Sequence, residues 1–238
     1  MKDIIAKGLD QLGLTGRVPD NAPELLERYG QLLIEKNQVM NLTAITDPDQ
    51  VAKLHMLDCA ALLTCVDLSG GKTLIDVGTG AGFPGLALKI LVPDLEITLL
   101  DSLNKRVAWL NEVIDALGLT GITAIHARAE EQAQVKGFRD SFDFVSARAV
   151  ADLRLLSEIC LPYAKVGGTF LSMKSVGSDE ELSQAAHAVK FMGGRVRNAV
   201  DYTIPGTDVT HRLLLIDKVA PTLKGYPRRW ANIQKKPL

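Results

Sequence analysis

From Thr73 onward the chain alternates between two textures. Short apolar or β-branched runs are TLIDV (73–77), EITLLD (96–101), ITAIH (122–126), FDFVSA (142–147) and TFLSM (169–173). Longer stretches of helical spacing, such as NKRVAWLNEVIDALGL (104–119), separate them. Strands separated by helices pair in parallel and bury both sheet faces under helical layers. Two further runs, VRNAVDYTI (196–204) and HRLLLIDKV (211–219), are joined only by PGTDVT (205–210). A parallel crossover takes about a dozen residues or more, so these two are expected to pair antiparallel. The expectation is an α/β fold with a seven-strand, mostly parallel sheet.

The first 70 residues read differently. PELLERYGQLLIEKNQVMNL places Leu25, Leu26, Tyr29, Leu32, Leu33 and Val39 near a 3.6-residue period, with charges between them. In TDPDQVAKLHMLDCAALL, Asp47 suits an N-cap, Pro48 the first helical position and Gln50 the closing side of a capping box. Three segments follow: a helical N-terminal extension (1–70), an α/β core (71–218) and a basic C-terminal tail (219–238).

The ligand-binding feature is DVGTGAGFPG (76–85), which follows the first strand and opens a helix, where doubly wound folds bind ligands. A triphosphate loop needs Lys and Ser/Thr after its last glycine, and Leu86 and Ala87 stand there instead. A dinucleotide fingerprint needs a third glycine where Phe83 stands. What remains is Asp76-x-Gly78-x-Gly80-x-Gly82. The acid at the strand end suits a ligand carrying an ammonium group. Asp101 ends the next strand about 20 residues on, where a carboxylate accepts from ribose hydroxyls. An amino-acid end, a ribose and no phosphate describe S-adenosylmethionine. Phe83 is placed to cover that ligand, and Pro84 to preset the next helix turn.

The fourth strand shows neither the Asn/Asp-Pro-Pro-aromatic turn of exocyclic-amine methylation nor a nucleophilic cysteine. Cys59, Cys65 and Cys160 lie in helical segments, without CxxC spacing, and read as structural. An acceptor with its own lone pair, such as nitrogen 7 of guanine, needs neither feature; other acceptors fit the same absence.

Net charge is −1, yet from Lys218 to Leu238 there are six Lys/Arg and no Asp or Glu, with Tyr226 and Trp230 among them. Such a segment suits a phosphate backbone with unpaired bases, or else is a solvated tail. No apolar stretch approaches the roughly 18 residues that span a bilayer, and the N-terminus makes a poor secretory signal, so a soluble cytoplasmic protein is expected.

NLTAI (41–45), HMLD (55–58), DVGTGAGFPG, LLDSLNKR (99–106), RAEE (128–131), SARAV (146–150) and the closing YPRR…KKPL together resemble the bacterial 16S rRNA guanine(527)-N(7)-methyltransferase family, also called glucose-inhibited division protein B. The resemblance spans almost the whole chain. It implies a class I (Rossmann-like) methyltransferase fold, S-adenosylmethionine as donor, and a guanosine of 16S rRNA in the 30S subunit as acceptor. It implies cofactor contacts at Gly78, Phe83, Asp101, Ser102, Leu103, Ala129, Glu130 and Arg148, which join Asp76 and Gly80 from the loop.

Arg148, at the end of the fourth strand, is expected to touch the cofactor carboxylate, an RNA phosphate or the guanine and so to position the reactants. Its bland alternative is a salt bridge to an acid such as Asp152. Lys174, Arg228, Arg229, Lys235 and Lys236 are the expected RNA contacts. A monomer with no metal and no membrane partner is expected. His55 and Asp58 read as a structural contact between extension and sheet ahead of a catalytic pair. The competing readings are a catalytically idle RNA-binding or ribosome-assembly module, and a nicotinamide-dependent oxidoreductase.

Overall fold

The computed structural model describes residues 1–238. Its centre is a seven-stranded sheet of β1 (Thr73–Val77), β2 (Glu96–Asp101), β3 (Ile122–His126), β4 (Phe142–Arg148), β5 (Ala164–Ser175), β6 (Gly194–Thr203) and β7 (Thr210–Lys218). The strand order is β3-β2-β1-β4-β5-β7-β6. β1 to β5 are parallel, and β7 runs antiparallel to both β5 and β6. The seven-strand, mostly parallel α/β sheet expected from the alternation is therefore present.

Burial alternates along the strands as a two-faced sheet requires. Leu74, Leu99, Leu171, Leu213 and Leu215 face one apolar cluster; Ile75, Leu100, Phe170, Leu214 and Ile216 face the other. The first cluster is covered by the N-terminal helices α1 (Lys2–Gln11), α2 (Ala22–Asn37), α3 (Pro48–Val51) and α4 (Asp58–Cys65), together with α5 (Gly85–Leu91) and α6 (Asn104–Ala116). The second is covered by α7 (Ala129–Gln132), α8 (Leu153–Cys160), α9 (Asp179–Phe191) and α10 (Trp230–Lys235).

α2 buries Leu26, Tyr29 and Leu33 on one stripe, as its period predicts. Val39, expected on that stripe, is 83% exposed because the helix ends at Asn37. Asp47 caps α3 by accepting from the Gln50 N–H at 2.9 Å. α3 runs through a π-helical stretch, Ala52–Leu57, into α4. That wider turn carries His55 and delivers Asp58 to the sheet.

The C-terminal segment is folded onto the core. Ile233 is fully buried against the α8 side, which contributes roughly 2 kcal/mol. Lys218, counted above among the tail charges, is 1% exposed at the end of β7. Its ammonium donates to the Leu161 carbonyl and the Thr222 hydroxyl and pairs with Asp140 at 2.9 Å. It is a structural lysine and no part of an RNA-facing charge patch.

Candidate active site

The loop after β1 is built from glycines that do different jobs. Gly78, Gly80 and Gly82 have φ of +70°, +60° and +98°, which side chains other than glycine rarely adopt. A Cβ on Gly82 would come within 2.6 Å of the Tyr29 hydroxyl. Gly85 performs the close helix–strand packing that the dinucleotide fingerprint assigns to its third glycine. A Cβ there would lie 2.5 Å from Leu99 Cδ2 and 2.9 Å from Asp76 Cβ.

Asp76 is fully buried beneath this loop. Its Oδ2 accepts from the Thr79 hydroxyl (2.7 Å) and the Gly85 N–H (3.0 Å), and its Oδ1 accepts from the Ser146 hydroxyl (2.8 Å). The β1–β4 register sets Ser146 beside it. Burial pushes its carboxyl above the usual range, against the pull of those three donors. The expected contact with a ligand ammonium is therefore corrected: Asp76 organises the loop from below.

Asp101 sits in the cleft itself. Its Oδ2 accepts from Gly80 N–H and its Oδ1 from Leu103 N–H, both at 2.9 Å, and Arg106 approaches at 3.5 Å. Each oxygen retains a further lone-pair direction for a hydroxyl donor. The cleft holds about 230 Å³. Gly78, Asp101, Ser102, Ala129, Glu130 and Trp230 line it, with Arg128 as its one cation. Two carboxylates and a single arginine form a poor pyrophosphate site and a good one for a neutral nucleoside bearing a cationic tail. Nothing in the cleft supports the nicotinamide reading.

Phe83 and Leu103 do not line this cleft. Phe83 is buried against the helical extension, its ring 5.1 Å from that of Tyr29 and stacked on His55 at 4.7 Å. The expected cover over the ligand is thus a wedge between loop and extension. Leu103 contributes its backbone N–H to Asp101, while its side chain is exposed.

Arg148 lies over the Phe83 ring, with its guanidinium carbon 4.8 Å from the centroid. Its Nη1 donates to Asp58 Oδ2 at 2.9 Å, and its Nη2 to His55 Nδ1 at 3.1 Å. The acid beside it is Asp58; Asp152 instead caps α8 and pairs with Arg154. A guanidinium only donates, so His55 Nδ1 accepts and Nε2 carries the proton toward Thr43 Oγ1 at 2.8 Å. Burial, with the Arg148 charge behind it, lowers His55 to about 4.

Asp58 also accepts from the Tyr202 hydroxyl (2.9 Å) and from His211 Nδ1 (2.8 Å). Burial opposes its charge, yet the His211 hydrogen bond and Arg148 hold its carboxyl below the usual range. The same hydrogen bond raises His211 above the ordinary histidine value. His55 and Asp58 thus make the contact between extension and sheet that their spacing suggested. They also border a second hollow with Arg148, Lys174 and His211 at the C-terminal end of the sheet. His211 and Tyr202 carried no sequence signal: they reach Asp58 from 153 and 144 residues away.

The expected RNA cations divide. Lys174 donates to the Ala151 carbonyl and pairs with Glu181 at 2.6 Å. Arg228 grips fully buried Glu158 through Nε (2.8 Å) and Nη2 (2.6 Å). Both charges are already neutralised inside the molecule. Arg229, Lys235 and Lys236 are exposed. Tyr226 packs edge-on against Phe191 and Trp230 faces the cleft, so the tail aromatics form no open stacking platform. The thiols of Cys59 and Cys160 are buried and pushed up by that burial, consistent with structural roles.

A family model described as rRNA small subunit methyltransferase G matches residues 22–207. The chain is 42% identical over 236 residues to the Ribosomal RNA small subunit methyltransferase G of Clostridium perfringens, covering 99% of this chain and 98% of that protein. It is 47% identical over 232 residues to the protein of that name in Lachnoclostridium phytofermentans, covering 98% and 95%. Among solved structures, a SAM-dependent methyltransferase from Aquifex aeolicus superimposes with a TM-score of 0.52 at 20% identity, covering 72% of this chain and 94% of that one. That last likeness is one of fold.

Proposed function

The chain belongs to the rRNA small subunit methyltransferase G family, and from that premise we propose that it methylates nitrogen 7 of a guanosine in 16S rRNA, with S-adenosylmethionine as donor. The rRNA methyltransferase activity is the family's. The observation that carries the choice of donor is the cleft over the glycine loop, which offers two carboxylates, Asp101 and Glu130, against one cation, Arg128.

The bound donor supplies a methyl group on a sulfonium, already activated for displacement. The chain's own residues bind and orient. Gly78 and Gly80 bring backbone close to the ligand, Asp101 accepts from ribose hydroxyls, and Ala129 and Glu130 flank the base. Ser102 and Leu103 hold the Asp101 turn, and Phe83 wedges the loop in place.

Guanine nitrogen 7 has its own lone pair, so no base has to remove a proton. The site agrees with that demand: His55 has both ring nitrogens engaged, and the nearby cysteine, Cys59, is buried as a thiol. Catalysis then rests on alignment, which is worth about 7–11 kcal/mol when reactants are held in line. Arg148 fits the positioning role, because Asp58, His55 and Phe83 fix its guanidinium beside the hollow at the sheet's end. We assign that hollow, with His211 on its wall, to the target base.

The test is transfer from methyl-labelled donor to 30S subunits and to free 16S rRNA, followed by mapping of the modified nucleotide. Label at nitrogen 7 of one guanosine is expected. Label at another atom would overturn the acceptor, and binding without transfer in a single turnover would favour an idle RNA-binding module.

A further inference from the structure

We propose that Trp230 is a cofactor-contacting residue, which places part of the adenosine site on the C-terminal arm rather than on the α/β core. This rests on the S-adenosylmethionine reading of the cleft. Trp230 lines the same cleft as Gly78, Asp101, Ala129 and Glu130, although it follows the nearest of them by 100 positions in the chain. Its indole N–H makes no hydrogen bond within the protein and is not sealed from solvent, which leaves it open to an acceptor on a ligand.

The indole is held there from both sides. Before it, the Arg139 guanidinium donates to the carbonyls of Thr222, Leu223 and Tyr226, and Gln134 donates to that of Pro227. Arg228 is bidentate to Glu158, which also accepts from the Arg228 backbone N–H. After it, fully buried Ile233 anchors α10 against the cluster that includes Ile159, itself a wall of the cleft. Five side chains of the arm and core thus fix one aromatic plane in a cavity lined by two carboxylates.

A flat apolar face with a free N–H donor, beside Asp101 and Glu130, has the chemistry that recognises a purine nucleoside. Stacking of a base on an aromatic side chain shows as a roughly 5- to 150-fold affinity loss on truncation to alanine.

The chain has two tryptophans, Trp230 and the buried Trp109, so the Trp230→Phe variant isolates the part of the emission change that belongs to Trp230. S-adenosylhomocysteine and 5′-methylthioadenosine are titrated against the full chain, with fluorescence and calorimetry as readouts. Expected are a saturable change in tryptophan emission and a Kd about tenfold weaker for Trp230→Ala with both ligands. Trp230→Phe is expected to bind within about threefold of the parent while losing the emission response. A parent-like Kd for Trp230→Ala overturns the inference alone, and so does a loss confined to S-adenosylhomocysteine. Failure of the unmodified chain to bind either ligand overturns the donor reading as well.

Discussion

Two histidines flanking the Arg148–Asp58 pair, His55 against Arg148 and His211 on Asp58, give the protein opposed responses to pH. His55 is held neutral, with its value lowered to about 4 from the ordinary 6.5, so the unfolded chain binds the extra proton first. Its contribution is complete above pH 6.5 and is lost as pH falls toward 4, by up to about 3 kcal/mol. His211 is raised, so its contribution is complete below pH 6.5 and is lost as pH climbs through its folded value. Urea midpoints across pH 4–8 should therefore peak near 6.5. His55→Gln should flatten the acid limb, and His211→Gln the alkaline one.

Arg148 gives a second prediction at this scale. It borders the base-side hollow and is absent from the cofactor cleft, so Arg148→Lys should lower methyl transfer about 100-fold through misalignment. Calorimetric affinity for S-adenosylhomocysteine should stay within about threefold. The two carboxylates of the loop show what was legible residue by residue. Asp101 ends β2 and lines the cleft. Asp76 lies two register positions short of that end, beside Leu99, and the donors converging on it from Thr79, Gly85 and Ser146 reveal that it faces inward.

At the scale of elements, the β1–loop–α5 turn depends on Gly85 for close packing as it depends on Gly78 and Gly80 for their positive φ. Gly85→Ala overpacks Leu99 and Asp76 and should cost about 2 kcal/mol, a fall in Tm of roughly 4–8 °C by calorimetry. The seven strands, their mostly parallel pairing and the helices between them were legible because period and connection length decide them, whereas the strand order came only from the structure. The π-helical stretch before α4 was not, since nothing in AKLHML marks it. The C-terminal arm misled in the other direction. Its charges suggested either a solvated tail or an RNA grip, yet Arg228 is committed to buried Glu158. Arg228→Gln strands that carboxylate, so the arm should loosen, with trypsin cutting at Lys224 and Arg229 at least tenfold faster than in the parent. Unchanged cleavage would mean that Ile233 and the Arg139 hydrogen bonds suffice to hold it.

For the whole molecule, a net charge of −1 leaves RNA affinity to local patches. The exposed cations of the arm include three of the expected RNA contacts, Arg229, Lys235 and Lys236. Replacing all three with alanine should reduce the log–log salt slope of 16S rRNA binding by about 2, at roughly 0.7 per phosphate. The Lys174→Ala and Arg228→Ala slopes should match the parent, because those charges are internally paired.

The reach of Asp58 also orders events in time. It binds Arg148, Tyr202 and His211, which follow it in the chain by 90, 144 and 153 residues. At a synthesis rate of about 5–20 residues per second, Asp58 is made roughly 8–30 s before the last of these partners exists. A nascent chain can complete the parallel strands while its base-side hollow still lacks a wall. The capacity to act on RNA is therefore among the last properties the growing protein acquires, after most of its sheet is already in place.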